Sequence, residues 1–388
     1  MKLWNSYENR LTTLEDKDIY NIYVCGVTPY DTAHIGHGAT FTFFDTLIHH
    51  LEFNHKKKVK YVQNITDIDD SIIAKAKETN QDLFELATDQ TDKYVKSMRE
   101  LGLRAPDKMP KVSEKVLEII KAAETLNDNG FLYELNGDWY FDCTKVTGEL
   151  PDLKIPDDVL IKIFDSRGGN SKVESKRDPF DFIVWQKSLD GEPEFDSKLG
   201  KGRPGWHIEC TAMLLDEFGG EIDIHGGGED LRFPHHTSEI AQNIGLGKGS
   251  VTKIWMHPGN VTMYGEKMSK SLGNMVYIYD LLERYPNAVI KIAILSNHYL
   301  NGFSWNEKLI DTSFDLYKKI DEALKIQDDQ SSYSHADSMK QIITFLDDDL
   351  DTPSAIRFIE NSAEQVLRGD VNTYNVKSML SALKLDIV

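Results

Sequence analysis

The segment NIYVCGVTPYDTAHIGHGATFTFFDTLIHHL (residues 21–51) contains a strand, a turn and a helix in that order. Residues 21–27 are mostly apolar and rich in β-branched and aromatic side chains, which is typical of a buried strand in a parallel sheet. Residues 41–51 carry apolar side chains at helical spacing. A turn with the sequence HIGH (residues 34–37) connects the two elements. This order predicts the first unit of an α/β fold.

Later segments continue this pattern and then interrupt it. Residues 59–65 predict a second strand, and residues 113–126 predict an amphipathic helix. From residue 136 to about residue 200 the chain is rich in polar and turn-forming residues, which indicates an insertion between two halves of the sheet. A helix over residues 205–218 and a short strand over residues 221–225 then resume the α/β order.

The C-terminal part of the chain has a different character. A helix is expected around residues 277–295, and apolar residues recur at helical spacing over residues 310–324. A further helix is expected up to about Asp347. The sequence DTP at residues 351–353 is typical of a helix start, because a capping side chain precedes a proline in the first turn. This tail predicts a helical bundle.

The composition is that of an ordinary globular chain. Among its 388 residues, 40% are hydrophobic and 28% are charged. No apolar run approaches the roughly 18 residues that a membrane span requires, and the first residues lack the apolar stretch of a secretory signal. Three cysteines, Cys25, Cys143 and Cys210, are too few and too widely spaced for a disulfide framework. We therefore expect a cytoplasmic protein.

The net charge of −19 removes one argument for nucleic-acid binding, because proteins that neutralise phosphates usually carry a basic field. A local basic patch can still suffice. Lys56, Lys57, Lys58 and Lys60 form such a cluster, and two interpretations stay open for it. It is either a solvated turn before a strand or the footprint of an RNA.

The HIGH turn (residues 34–37) lies where the first strand passes into a helix, and helix N-termini attract anions. Gly36 would let a nucleotide approach the backbone closely, and the imidazoles of His34 and His37 can donate to phosphate oxygens. A short string of this kind also recurs by chance, so two surface histidines in a turn are the alternative.

A second phosphate-binding candidate is KMSKS (residues 267–271), between Gly265 and Gly273. Lys267 and Lys270, three residues apart on a mobile loop, can close over a triphosphate and neutralise charge as pyrophosphate leaves. Alone, the pentamer is also compatible with a solvated loop.

Four residues distributed along the chain have the chemistry of a zinc shell. Cys25 lies near the end of the first strand, Cys210 lies in a predicted helix, and His235 and Glu239 are four residues apart, so that they share one face of a helix opening at Pro234. Two buried, inert cysteines and a capping histidine are the alternative. As a set, the four residues favour a metal site.

HIGH and KMSKS, in this order, resemble the two signature motifs of class I aminoacyl-tRNA synthetases, and both are present without a substitution. With the Cys, Cys, His and Glu set, the chain is similar to cysteinyl-tRNA synthetases from about Leu3 to Trp305 and more faintly beyond. This resemblance implies a Rossmann-like, doubly wound parallel sheet, zinc as cofactor, and ATP with Mg²⁺ as substrate. In that family the zinc binds the substrate thiol, and neither His207 nor His236 is expected to be a ligand here.

The resemblance also implies a role for each residue that matches a family motif. Those implied to be catalytic are His34, His37, Lys267 and Lys270; those implied to bind ATP or the adenylate are Gly36, Thr40, Gly228, Glu229, Asp230, Val261 and Ser271; those implied to bind cysteine are Gly26, Thr28, Asn64, Thr66 and Trp206; and those implied to bind the metal are Cys25, Cys210, His235 and Glu239.

The expected organisation follows the same resemblance. Residues 1–115 form the first half of the catalytic domain, 116–200 the connective insertion, 201–252 the second half, 253–305 the KMSKS loop with a linking segment, and 306–388 the helical bundle, with no anticodon-binding domain beyond it.

The activity implied is ATP-dependent activation of L-cysteine to cysteinyl-adenylate and its transfer to tRNA(Cys) by a shortened, monomeric enzyme. The mycothiol-pathway ligase shares this core and transfers cysteine to the amine of glucosaminyl-inositol, so the acceptor stays open. Segments such as SRGG (residues 166–169) and DDDLDTP (residues 347–353) look like that ligase, whereas Glu239 and the spelling HIGH favour the synthetase.

Two further alternatives belong to other classes. A non-catalytic tRNA-binding paralogue would have no use for Lys267 and Lys270. A simple nucleotidyltransferase would leave the metal set and the KMSKS loop unexplained.

Overall fold

The structure, a computed structural model, describes residues 1–268, 272–326, 335–370 and 373–387. Its strands are β1 (Lys2–Asn5), β2 (Arg10–Thr13), β3 (Ile19–Val27), β4 (Lys58–Ile65), β5 (Leu132–Leu135), β6 (Asp138–Phe141), β7 (Phe182–Gln186), β8 (Arg203–Pro204), β9 (Ile222–Gly226), β10 (Thr252–Met256), β11 (Val261–Met263), β12 (Glu266–Lys267) and β13 (Phe303–Trp305).

The α-helices are α1 (Ile35–His49), α2 (Asp70–Thr79), α3 (Leu83–Glu100), α4 (Val116–Asp128), α5 (Asp157–Ser166), α6 (Trp206–Phe218), α7 (Thr237–Gly245), α8 (Ile278–Arg284), α9 (Asn287–Leu295), α10 (Glu307–Leu324), α11 (His335–Asp347), α12 (Thr352–Arg368) and α13 (Thr373–Leu383). No helix of the described ranges combines the length and apolar character needed to cross a membrane.

A four-stranded parallel sheet in the order β10-β9-β3-β4 organises the part of the chain before the C-terminal helices. β3 lies between β4, which follows it in sequence, and β9, which comes much later. The direction of winding therefore reverses between β3 and β9, and ligands bind at the carboxyl ends of strands at such a switch point. This is the doubly wound parallel sheet that the sequence predicted.

The side chains of β3 alternate between two packing environments, as the period of a strand requires. Ile22 and Val24 belong to the large core that also contains Phe44 of α1. Tyr23 and Cys25 point to the other side, into a smaller cluster that includes Cys210 of α6. The alternation of side chains along β3 therefore directs the Cys25 thiol towards α6, although α6 begins 181 residues after Cys25 in the chain.

An antiparallel sheet in the order β5-β6-β7-β8 forms most of the insertion. It packs with α4 and α6 around a separate core that includes Phe141 and Trp185. Its last strand is Arg203–Pro204, so the sheet extends slightly beyond residue 200, where the sequence placed the end of the insertion.

The C-terminal helices α10 to α13 pack together and against α9, and they continue the large core that surrounds the parallel sheet. The bundle predicted for the tail is therefore present. It also contacts the π-helical turn His50–Asn54 that extends α1, through α11 and α13.

Three local expectations need correction. The single helix expected around residues 277–295 is two helices, α8 and α9, because Pro286 cannot continue a helix and holds Tyr285 in an extended conformation. The helix expected over residues 41–51 begins earlier, at Ile35. His235 precedes α7 instead of lying within it, in a distorted π-helical turn, Arg232–His236.

Candidate functional site

The HIGH turn starts α1 at the switch point of the sheet. His34 is the N-cap residue, and its Nδ1 accepts from the backbone N–H of Gly36 at 3.0 Å. The Nδ1 of His37 accepts in turn from the backbone N–H of His34 at 3.4 Å, and the two rings stack with centroids 3.9 Å apart. Since both Nδ1 atoms act as acceptors, each neutral ring carries its proton on Nε2. Burial lowers the pKa of His34 and, more strongly, of His37, which keeps the rings neutral.

The glycine-rich loop after β9 lies beside this helix start. A Cβ on Gly228 would lie 3.9 Å from Thr40 Oγ1 and 2.6 Å from Asp230 Oδ1, so the loop approaches α1 closely. Asp230 Oδ2 accepts from Arg167 Nη1 at 3.2 Å. Arg167, which follows α5, thus reaches from the insertion to the predicted ribose-binding carboxylate, and the sequence did not predict this role for it.

The other predicted adenosine-binding residues join this loop to the following strands. The backbone N–H of Glu229 donates to the carbonyl of Pro258 at 2.8 Å, and Asn260 Nδ2 lies 3.5 Å from Glu229 Oε2. Val261 is the buried first residue of β11. The loop and β11 are therefore fixed relative to each other.

Only part of the KMSKS segment falls within the described residues. Lys267 ends β12 and is exposed, and its carbonyl accepts from Asn274 Nδ2 at 3.2 Å. Lys270 and Ser271, also predicted as site residues, lie outside the described residues. The chain just beyond the segment contacts the HIGH turn, because the N–H of Ile35 donates to Val276 O at 2.8 Å.

The predicted cysteine-binding residues at the ends of β3 and β4 are connected by hydrogen bonds. The N–H of Gly26 donates to Asn64 Oδ1 at 2.9 Å, and Asn64 Nδ2 donates to Thr66 Oγ1 at 3.2 Å. A Cβ on Gly26 would lie 1.7 Å from the carbonyl oxygen of Asn64, so only glycine fits at this position. Thr28, half-buried, follows directly after β3.

The four predicted metal ligands come together beneath these residues. One ligand atom from each of Cys25, Cys210, His235 and Glu239 lies within 4.8 Å of the others, and all four residues are buried. Cys25 Sγ is 3.6 Å from Cys210 Sγ and 3.7 Å from Glu239 Oε1, and His235 Nε2 is 3.2 Å from Glu239 Oε1. β3, α6, the turn before α7 and α7 itself each supply one of them.

Two neighbours fix the orientation of His235. The indole of Trp206, at the start of α6, stacks on its ring with centroids 4.6 Å apart. The Nδ1 atoms of His207 and His235 lie 3.0 Å apart, so one of them donates to the other. Trp206 therefore lines the same pocket, and His207 orients the predicted ligand His235 through a hydrogen bond.

A histidine cluster, of which the sequence analysis had singled out only His236, completes the site. His225, at the end of β9, places Nε2 3.5 Å from Cys25 Sγ, and His236 places Nε2 at 3.3 Å from the same sulfur. His236 Nδ1 is 2.7 Å from His257 Nε2. Cys25, His225, His236 and Glu239 consequently form a second set of four close ligand atoms. The position of His225 directly before three glycines was the available signal.

The pKa shifts of the cluster indicate whether its residues fit a metal ion. Burial raises the pKa of the Cys25 thiol and of the Glu239 carboxyl, because a negative charge is poorly solvated there without a cation. Burial also lowers the pKa of His235, and a neutral imidazole is the form that ligates. Among the described residues Glu239 Oε2 has no hydrogen-bond partner. Two thiols, an imidazole and a carboxylate fit a zinc ion, whose charge would offset these costs.

Solved structures with the same arrangement of elements define the class of the fold. A Mycobacterium tuberculosis methionyl-tRNA synthetase in complex with methionyl-adenylate superposes with a TM-score of 0.68, covering 94% of this chain and 89% of that one at 13% identity. The ternary LeuRS-tRNA-LeuAMS complex of Agrobacterium radiobacter K84 gives a TM-score of 0.62 at 10% identity, covering 94% and 82%. These likenesses concern the fold alone, and they confirm the class I synthetase architecture that the sequence predicted.

The family follows from sequence. The model for the tRNA synthetases class I (C) catalytic domain matches residues 11–315, and the chain belongs to this family. The cysteine–tRNA ligase of Prochlorococcus marinus subsp. pastoris is 39% identical over 334 residues, which cover 84% of this chain and 67% of that protein. Those of Idiomarina loihiensis and Thermodesulfovibrio yellowstonii are 36% and 37% identical, covering 94% and 95% of this chain and 79% of each relative.

Proposed function

We propose that this protein activates L-cysteine with ATP as cysteinyl-adenylate and transfers the cysteinyl group to tRNA(Cys). The observation that carries the proposal is the approach of the Cys25 and Cys210 sulfurs to 3.6 Å at the switch point where the HIGH turn begins α1. A thiol-recognising site and a phosphate-binding helix start thus share one strand end. The relatives named cysteine–tRNA ligase support the same reaction and do not favour glucosaminyl-inositol or a non-catalytic role.

Cys25, Cys210, His235 and Glu239 are the residues that would hold zinc, and the ion would supply a soft Lewis acid that binds the thiolate of the substrate. We prefer this set to the one with His225 and His236 because it offers two thiolates, which suit zinc. A site that demands a metal–thiolate bond rejects serine and alanine by a large factor, since neither can replace it. The Trp206 indole, which stacks on His235, limits the space beside this position.

The phosphate-binding residues act on the triphosphate of ATP. The substrate carboxylate attacks the α-phosphorus, a bond from oxygen to phosphorus forms, and the bond to the pyrophosphate leaving group breaks. His34 and His37 donate their Nε2 protons to phosphate oxygens, and Lys267, together with Lys270, neutralises the negative charge that develops on pyrophosphate, alongside Mg²⁺. Preorganised donors of this kind stabilise the transition state more than bound ATP.

Recognition of the nucleoside is assigned to the loop after β9. Asp230 accepts from the ribose hydroxyls, Gly228 allows the loop to approach Thr40, and Val261 packs beside the adenine. Arg167 holds the Asp230 carboxylate in place from the insertion. In the second step a hydroxyl at the 3′-end of the tRNA attacks the acyl carbon and AMP leaves.

The basic cluster Lys56, Lys57, Lys58 and Lys60, for which an RNA footprint was one of two interpretations, lies at the other end of the sheet. Lys58 begins β4, whose eight residues extend about 23 Å to the site at Ile65. Lys57 Nζ is 2.6 Å from Asp16, and Lys60 pairs with Glu217, so two of the four charges are already neutralised. The structure therefore gives no reason to assign the tRNA acceptor end to this cluster.

Pyrophosphate exchange into ATP tests the first half of the reaction, with cysteine, serine and alanine offered in turn. Exchange is expected with cysteine alone. Aminoacylation of tRNA(Cys), compared with glucosaminyl-inositol as acceptor, tests the second half. Exchange without charging of tRNA would overturn the acceptor, and the absence of cysteine-dependent exchange would overturn the whole proposal.

A further inference from the structure

A second group of metal-binding side chains lies at the opposite end of α1 from the proposed reaction site. His50 begins the π-helical turn His50–Asn54 that continues α1, and His55 follows this turn. Asp347 is the last residue of α11 in the C-terminal bundle. None of these residues takes part in the proposed reaction.

Their ligand atoms converge on a single point. Asp347 Oδ1 is 3.1 Å from His50 Nε2 and 2.7 Å from His55 Nε2, and the two Nε2 atoms are 3.2 Å apart. Ligands at about 2.0–2.1 Å from a tetrahedral zinc ion are about 3.4 Å from one another, so these three distances need to lengthen by roughly 0.2 to 0.7 Å. We propose that His50, His55 and Asp347 form a second site for a divalent transition-metal ion, zinc above all, which ties the bundle to the catalytic half.

The exposure of the three side chains suits such a site. His50 is fully buried, whereas the side chains of His55 and Asp347 are 31% and 32% exposed. The buried imidazole anchors the ion to the fold, and the exposed side provides an entry path and room for water to complete the shell. Two imidazoles and one carboxylate are a donor set that zinc and its neighbours in the transition series bind well.

The local charge also suits a cation. Burial opposes ionisation of Asp347, but hydrogen bonds from His50 and His55 outweigh it and hold the pKa of this carboxyl well below its usual range. The carboxylate is therefore charged at neutral pH. The Met1 ammonium group lies 3.8 Å from the same oxygen, and it is a competitor that the metal ion would displace.

A neighbouring amide provides the outer contact that a ligating histidine needs. Asn54 Nδ2 lies 2.9 Å from His50 Nδ1 and 3.1 Å from the carbonyl of Ala382, while its Oδ1 has no hydrogen-bond partner among the described residues. When a metal ion occupies Nε2 of His50, the ring proton moves to Nδ1 and requires an acceptor. Rotation of the amide brings the unpaired Oδ1 to that position, in exchange for the hydrogen bond that Nδ2 donates to the carbonyl of Ala382.

Cobalt is a suitable probe, because Co²⁺ bound to cysteine thiolates gives a charge-transfer absorption that Co²⁺ bound to imidazole and carboxylate lacks. The metal-stripped full chain, kept reduced, is titrated with Co²⁺ beside the His55→Gln and Asp347→Asn variants. Each substitution preserves a hydrogen-bonding group but removes a good ligand. The wild type is expected to bind one equivalent more than either variant, and this equivalent adds no charge-transfer absorption.

This proposal does not depend on the proposed function, and the experiment separates the two. Cysteine-dependent pyrophosphate exchange should be the same in the wild type and in both variants. Cys210→Ser should remove the charge-transfer absorption and leave the second equivalent in place. Equal stoichiometry for the wild type and both folded variants would overturn the second site, whatever the result at Cys210.

Discussion

Cys25 Sγ and Cys210 Sγ lie 3.6 Å apart, although 185 positions separate the two residues in the chain. Parallel strand β3 supplies one sulfur and helix α6 supplies the other. Both thiols are free and buried. This contact is the geometric basis of the proposed metal site, and the first prediction tests it.

Cys210→Ser should lose the zinc ion of the proposed cysteine site, one equivalent, together with cysteine activation, because a hydroxyl is a poor replacement for a thiolate ligand. Cys143→Ser is the matched control, since Cys143 Sγ donates to the carbonyl of Phe180 in the insertion and lies outside the site. Zinc content is measured by metal analysis and activation by pyrophosphate exchange. Full zinc content in the Cys210→Ser protein would show that the ligand assignment is wrong.

Lys267→Ala should lower the rate of adenylate formation by ~10²-fold or more, with a smaller change in ATP affinity, because the charge that it neutralises develops in the transition state. Lys270→Ala, at a position outside the described residues, should behave in the same way. Lys248, exposed in the turn after α7, provides the control substitution. Single-turnover kinetics separate rate from binding, and an unchanged rate in both loop variants would refute the role.

Gly26→Ala should destabilise the protein by about 3 kcal/mol and abolish cysteine activation, because the new Cβ would overlap the Asn64 carbonyl and separate β3 from β4. Gly191→Ala is the comparison. Gly191 has a φ of 80° and open space around it, so this change should cost only about 1 kcal/mol of backbone strain. Urea unfolding gives the two stabilities. A Gly26→Ala protein as stable and as active as Gly191→Ala would contradict the close approach.

Lys291→Met should stabilise the protein by about 2 kcal/mol at pH 7, since removing a buried charge outweighs the lost hydrogen bond to the carbonyl of Lys384. Burial lowers the pKa of Lys291 from 10.5 to about 8; Lys384 adds to this effect, and Asp45 and Asp386 oppose it. The unfolded state therefore binds more protons between pH 8 and pH 10.5, so the wild type gains stability as the pH rises through this range.

The advantage of Lys291→Met should accordingly be constant below about pH 8 and shrink between pH 8 and pH 10. Denaturant midpoints at pH 6, 7, 8, 9 and 10 measure it. A stability advantage of Lys291→Met that grows with pH would contradict the lowered pKa of Lys291. Lys318→Met, on the exposed face of α10, serves as the control and should show no such trend.

Local sequence was sufficient for the parts of the fold that depend on short-range chemistry. The alternation and β-branched residues around Cys25 predicted β3, and the cap and glycine of the HIGH turn placed a helix start directly after it. The family motifs then supplied the candidates for metal and phosphate binding, which remain predictions. Pro286 was an equally local signal, and the break that it makes between α8 and α9 was available from the sequence.

Tertiary structure alone decided which distant side chains meet. His225 and His257 belong to none of the family motifs that the sequence analysis used, and they join the proposed site because parallel pairing sets the ends of β9 and β10 beside Cys25. Arg167 reaches Asp230 only because the insertion folds back over the sheet. The side chains of His50, His55 and Asp347 converge because the bundle packs on the end of α1. Short-range spacing determines strands, helices and caps, whereas such contacts depend on how the sheet winds and how the layers pack.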